Sequence, residues 1–323
     1  MSDSSRAEER PLRVGVSSCL LGNPVRYDGG HKRDRFLTDP LNEFVEWVPI
    51  CPEVESGMET PRPSMRLVRT GDEIHMREVI SGRDHTRNMV RYARKRVRAL
   101  RNLDLCGYVL KKDSPSCGMT RVKVYGEKGM PRREGRGLYA ASLMAAYPNL
   151  PTEDEGRLHD PKLRENFIQR IFAYQRLRKL FSGRWTNGQI VTFHTTHKLQ
   201  LMAHSPVAYR ELGKRVAEVK VMGRSEFREH YESGFMNALR RPASRGRNTN
   251  VLQHAAGYLE KQLDAGSRAE LESLIEEYRR GWLPLVVPVT LIAHYVRLHE
   301  IDYLSGQYFL QPHRKELMLR NHV

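Results

Sequence analysis

The chain has only four cysteines in 323 residues. That is too few for a disulfide framework, so each reads as a core, metal-binding or catalytic thiol of a reducing compartment. No run of about 20 apolar residues is present, which excludes a hydrophobic membrane-spanning helix. The opening MSDSSRAEERPLR is polar and has no apolar stretch, so it is not expected to be a secretory signal, and a cytoplasmic protein is expected. The sequence also lacks a C-x-x-C pair, a G-x-x-x-x-G-K-[ST] loop and an H-E-x-x-H helix. A structural zinc site, ATP activation and zincin chemistry are therefore unsupported.

Positive charge is abundant. There are 54 Lys and Arg against 38 Asp and Glu, a formal net charge of +16. Residues 1–150 and 151–323 each hold 27 basic and 19 acidic side chains, so this is not a neutral domain with a basic tail. An even positive field points to a large polyanion that touches both parts, nucleic acid first. A merely solubilising surface is the alternative.

Four stretches are expected: a disordered arm over 1–10, an α/β domain over 11–150, a linker over 151–161, and an all-α domain over 162–323. Leu12–Val16, Phe44–Ile50 and Cys106–Leu110 are short apolar runs followed by turn residues. They read as buried strands of a Rossmann-like, mostly parallel sheet. His85–Leu103 and Gly137–Tyr147 read as helices between and after them, giving an α/β doubly wound domain. The three prolines and acidic run of Pro148–Pro161 mark the linker. Beyond it helical periodicity dominates, with Arg240–Asn250 read as a loop.

Cys19, Cys51 and Cys117 each follow a predicted strand. In an open parallel sheet the loops at the carboxyl ends of neighbouring strands converge on one crevice, where ligands bind. Three converging thiolates suit soft-metal chemistry. From spacing alone the choices stay open: a cubane iron–sulfur cluster with one iron free of protein ligands, a three-thiolate zinc site, or plain buried cysteines. Cys106 opens a strand and reads as a core thiol.

The segments SSCLLGNPVRYDGG (17–30), CPEVESGMETPRP (51–63) and LKKDSPSCG (110–118) resemble the thiouracil desulfurase family. The helical half, with its closing HRKELMLRN (313–321), resembles an uncharacterised domain found fused to the first in bacterial tRNA thiouridine desulfidases. The resemblance implies a 4Fe–4S cluster on Cys19, Cys51 and Cys117. It also implies a catalytic carboxylate at Glu53 and a catalytic serine at Ser114, with Lys111 at a matching basic position. The implied reaction is redox-neutral: C=S and water give C=O and hydrosulfide, with Glu53 as general base or proton shuttle and Ser114 donating or relaying a proton. The implied substrate is tRNA bearing 4-thiouridine, with 2-thiouridine as a rival.

Around that centre, Lys111, Ser116, Asn23, Arg26 and Tyr27 are candidate substrate-binding residues; an ordinary strand-end lysine and a packed tyrosine are the plainer alternatives. A base in folded RNA must leave its stack, at a cost of about a few kcal/mol that phosphate contacts can offset. Arg91, Arg94, Lys95 and Arg98, with Arg240, Arg241, Arg245 and Arg247, are the candidate phosphate contacts; a solvated charged face is the alternative. His194, His197 and His204 lack a zinc motif and are expected as core or RNA-contact histidines. No membrane and no obligatory protein partner are expected. A three-cysteine zinc nucleobase hydrolase or deaminase, and a non-catalytic RNA-binding or redox-sensing protein, are the competing readings.

Overall fold

The computed structural model describes residues 12–126 and 130–322, so the arm expected over 1–10 lies outside the described residues. The chain divides into two compact units between His159 and Asp160. The first is α/β and the second nearly all helical, as the hydrophobic patterning predicted.

In the first unit, β1 (Leu12–Ser17), β2 (Val45–Ile50), β5 (Gly107–Leu110) and β8 (Thr152–Asp154) form a four-stranded sheet in the order β2-β1-β5-β8. Every pairing in it is parallel. Val14, Val16, Ile50, Tyr108, Val109 and Leu110 are fully buried, which explains why the strands read as continuous apolar runs. Gly15 lies opposite Tyr108. A β-carbon there would stand 2.3 Å from the tyrosine ring, so the ring occupies the space that glycine leaves.

A second sheet was not anticipated. Its strands are β3 (Met65–Thr70), β4 (Glu73–Glu78), β6 (Val122–Tyr125) and β7 (Arg132–Gly135), in the order β4-β3-β6-β7. Pairs β3/β4 and β6/β7 are antiparallel and β3/β6 parallel. The stretch 151–161, expected as a linker, instead contributes edge strand β8 and a short 3-10 turn at Arg157–His159.

Helices α1 (Arg35–Thr38), α2 (Pro52–Glu55), α3 (Thr86–Ala99) and α4 (Leu138–Ala146) complete the unit. On α3, Met89, Ala93 and Val97 are buried at helical spacing, while Arg91, Arg94, Lys95 and Arg98 on the other face are exposed. After α3 a 3-10 turn over Leu100–Leu103 ends at Asp104, whose φ is 51°.

The second unit consists of α5 (Pro161–Phe181), α6 (Asn187–His204), α7 (Pro206–Ala217), α8 (Arg224–Leu239), α9 (Arg245–Gly257), α10 (Ala265–Arg280), α11 (Val286–Leu298) and α12 (Asp302–Ser305). Side-chain caps start five of them: Asp160 for α5, Thr186 with Gln189 in a capping box for α6, Ser205 for α7, Ser244 for α9 and Asp264 for α10. Each such cap is worth about 1 kcal/mol. The loop expected over Arg240–Asn250 is shorter than predicted, because the Ser244 cap begins α9 at Arg245. One buried cluster, including Leu199, Leu252, Leu271, Ile292 and Phe309, binds α6, α9, α10 and α11 together. Among the described residues no helix is long and apolar enough to cross a membrane.

Candidate active site

Strands β2, β1 and β5 are adjacent and parallel, so their carboxyl ends share one edge of the sheet. Cys19 lies in the 3-10 turn just after β1, Cys51 immediately follows β2, and Cys117 is in the loop after β5. All three thiols are free and line one cavity of about 360 Å³. Cys106 is buried away from it, its thiol 3.6 Å from the Asp104 carbonyl.

Local packing fixes the positions of Cys51 and Cys117. The Ser17 hydroxyl accepts the Lys111 N–H at 2.9 Å and donates to the Cys117 thiol, tying β1 to the loop after β5. That loop is seated on the start of α4. The N–H groups of Leu138, Tyr139 and Ala140 donate to the carbonyls of Pro115 and Ser116. The approach requires Gly137, where a β-carbon would lie 2.4 Å from the Ser116 carbonyl oxygen. The turn after Cys51 is braced by α3: Tyr92 donates to Glu55 at 2.6 Å and Asn88 to the Ser56 carbonyl at 2.8 Å.

Burial raises all three thiols. Cys19 is pushed up to about 11, Cys51 is raised, and Cys117, wholly enclosed, is raised furthest. The other cysteines add to the rise at Cys19 and Cys117, so the thiols are electrostatic neighbours. Lys111 and Arg26 oppose it at Cys19; the Val54 amide and Arg62 oppose it at Cys51. Such a set favours thiolates only beside a positive group that binds sulfur.

Among the described residues no three His, Cys, Asp or Glu side chains are arranged to hold a single metal ion. The three thiols line one cavity, a soft donor set that suits an iron–sulfur cluster. Arg26 lines the same cavity, and its buried Nε has no hydrogen-bond partner among the described residues, a vacancy an anionic group would satisfy. The residues present, three free thiols lining one cavity with Arg26, therefore fit a three-cysteine iron–sulfur cluster.

Glu53, on the first turn of α2, carries the polar wall. Arg62 reaches its Oε2 through Nε at 2.9 Å and Nη2 at 2.5 Å, and Ser116 Oγ donates to its Oε1 at 2.6 Å. Arg62 is itself held by the carbonyls of Val25 and Glu59. Ser114 Oγ lies 3.0 Å from Ser116 Oγ and accepts the Cys117 N–H at 3.1 Å. A hydrogen-bonded line thus runs Ser114–Ser116–Glu53–Arg62 along a cavity lined by Cys19, Cys51 and Cys117.

The remaining predicted residues separate. Arg26, Tyr27 and Lys111 line the cavity; Tyr27 is exposed, with the Arg26 guanidinium 5.3 Å from its ring centre. Lys111 is committed to Glu155 at 2.5 Å, on the same carboxylate that accepts the Lys112 N–H. Asn23 does not line the cavity; its amide donates to Ser18 Oγ at 2.8 Å. Sequence reasoning missed Arg62 and Glu155. The only signal for Arg62 was its place between two prolines at the end of the segment that starts at Cys51.

Of the basic candidates, the four on α3 border a shallow depression with Arg87 and Val90. Arg240 and Arg241 are exposed. Arg247 turns inward, donating to the carbonyls of Ala203 at 2.9 Å and Pro242 at 3.0 Å, and Arg245 packs against Gly281. The histidines are core residues: His194 contacts Tyr231 Oη at 3.1 Å, His197 the Phe193 carbonyl at 2.8 Å and His204 the Arg241 carbonyl at 2.7 Å.

Comparison with known proteins gives two family matches. The 2-thiouracil desulfurase family matches residues 14–155 and a family of unknown function, DUF1722, matches residues 198–314. The chain is 35% identical over 158 residues to the uncharacterized protein YbgA of Escherichia coli, covering 49% of this chain and 94% of that one. It is 30% identical over 145 residues to the uncharacterized protein YbbK of Bacillus subtilis, covering 43% and 95%. A solved structure of the [4Fe-4S]-dependent thiouracil desulfidase TudS is 32% identical, covers 48% of this chain and 96% of that one, and superposes with a TM-score of 0.38.

Proposed function

Because the chain belongs to the 2-thiouracil desulfurase family, through residues 14–155, we propose that it removes sulfur from 4-thiouridine in tRNA, at a 4Fe–4S cluster held by Cys19, Cys51 and Cys117. The observation that carries this reading is the placement of three free thiols on adjacent parallel strand ends, around a cavity walled by Glu53. The reaction balances without an electron donor: the C=S carbon and water become C=O and hydrogen sulfide.

When bound, a cluster with three protein ligands supplies one iron with an open position, a soft Lewis acid for sulfur. The chain's own residues manage the proton and the base. Glu53 accepts a proton from the attacking water as general base. Arg62 and Ser116 fix its two oxygens so that the carboxylate faces the cavity rather than solvent. Ser116 and Ser114 form the relay by which that proton reaches the leaving sulfur or the ring nitrogen. Arg26 and Tyr27 line the cavity, where they would meet the pyrimidine, one as a cation and the other as a stacking surface.

RNA rather than a free thiobase is supported by charge. Both parts of the chain are strongly basic, and the α3 face presents a continuous row of cations beyond anything a small neutral base requires. The test incubates anaerobically reconstituted protein with tRNA bearing 4-thiouridine, tRNA bearing 2-thiouridine, and the free thiobases, and reads sulfide and nucleoside composition. Uridine should appear at the expense of 4-thiouridine in tRNA. Turnover of free thiobases alone would overturn the RNA assignment.

A further inference from the structure

The helical unit contains a cavity of about 280 Å³ that the sulfur chemistry does not use. Its interior is built from buried polar side chains: Glu165, Asn166 and Gln169 of α5, Gln200 and His204 of α6, and Asn248 of α9. Groups of this kind stay buried when they are hydrogen-bonded. Most are. Glu165 Oε1 accepts from Gln169 Nε2 at 2.5 Å and from Arg320 Nε at 3.0 Å; Asn166 donates to the Leu239 carbonyl at 3.0 Å and Asn248 to Tyr278 Oη at 3.0 Å.

Gln200 is the exception. Its side chain is buried at 1% exposure, and its Nε2 reaches Gln169 Oε1 at a long 3.5 Å. Its Oε1 has no hydrogen-bond partner among the described residues. A buried acceptor left unmet on a cavity wall asks for a donor from whatever fills the cavity.

The other walls narrow the chemistry. Tyr278 and Leu285 give an aromatic and aliphatic wall for a flat ring. Lys162 and Arg245 also line the cavity, each in the first turn of its helix, where the helix dipole also favours an anion. Glu165 is offset by Arg320, so the cavity is positive overall. A simple anion or an apolar ligand would leave Gln200 Oε1 unmet.

We propose that this cavity binds a nucleotide. Its heterocycle lies against Tyr278 and Leu285, an N–H of the base donates to Gln200 Oε1, and the phosphate meets Lys162 and Arg245. The volume stands at the low end for ligand cavities and suits one nucleotide rather than a longer segment. A free mononucleotide and one nucleotide of an RNA chain share this chemistry.

The test titrates the full chain, by calorimetry, with each of the four ribonucleoside 5′-monophosphates, inorganic phosphate and a short single-stranded RNA. The expected result is binding of a mononucleotide or of the RNA, at least tenfold weaker in Gln200→Leu, with phosphate alone at least tenfold weaker than either. Mononucleotide binding assigns a free ligand; RNA binding without it assigns a nucleotide of a chain. Cys51→Ala should bind like the wild type, so failure of the sulfur chemistry leaves this result unaffected. No binding by any probe, phosphate equal to nucleotide, or full affinity in a folded Gln200→Leu would each overturn the proposal. Should Gln200→Leu fail to fold, the exposed Lys162→Glu takes its place, and unchanged affinity there is equally contrary.

Discussion

Glu53 has both carboxylate oxygens engaged, one by Arg62 and one by Ser116, yet it still lines the cavity. That arrangement orients a base without removing it from its task. Glu53→Gln keeps the shape and loses the basicity, so kcat should fall by about 10²- to 10⁴-fold while the iron content stays that of the wild type. A variant that keeps full kcat would remove Glu53 from the chemistry. At this scale the resemblance marked the three cysteines, Glu53 and Ser114. Arg62 stayed hidden because its partner sits nine residues away across a turn, and an arginine between two prolines reads as surface. Glu155 stayed hidden inside an acidic run that read as linker, although it holds Lys111 and the Lys112 amide.

Among the elements, the contact between the 114–118 loop and the start of α4 decides where Cys117 lies. Gly137→Ala drives a methyl group into the Ser116 carbonyl and to within 2.8 Å of the Cys117 nitrogen. The expected cost in stability is about 1–3 kcal/mol, with loss of iron after reconstitution in a chain that still folds. Wild-type iron content in a folded Gly137→Ala would show that the loop tolerates displacement. The central strands were legible because burial on both faces forces continuous apolar runs. The second sheet was not, since β3 and β4, MRLVRT and EIHMRE, mix charged and apolar residues and are only partly buried. Edge strand β8 escaped for a similar reason: Thr152–Asp154 carries two carboxylates and no apolar side chain.

Across the whole molecule, charge and buried histidines make separate predictions. The combined Arg91→Glu, Arg94→Glu and Arg98→Glu variant should raise KM for tRNA by tenfold or more and flatten its salt dependence. Turnover of a free thiobase should be unchanged; an equal loss on both substrates would mean that the face supports the fold. In the helical unit, burial holds His194 and His204 down to about 4, from an ordinary 6.5. The unfolded chain takes up protons as pH falls through 6.5, whereas the folded chain does not until about 4. Their contribution to stability is therefore full above that window and is lost as pH falls through it. The melting temperature should drop between pH 7 and pH 4.5, and less so in His194→Gln; a flat profile would contradict the neutral, buried assignment. The division into an α/β and a helical unit was legible from periodicity, while the polar cavity around Gln200 was not, because its residues come from α5, α6 and α9 and meet only in the fold.

The most direct measurement compares wild-type protein and Cys51→Ala, both reconstituted anaerobically with iron and sulfide, on tRNA carrying 4-thiouridine. The wild type should convert 4-thiouridine to uridine with one sulfide released per uridine formed, and Cys51→Ala should release none. Intact 4-thiouridine after incubation with a wild-type protein that retains its iron, or equal turnover by Cys51→Ala, would contradict the assignment.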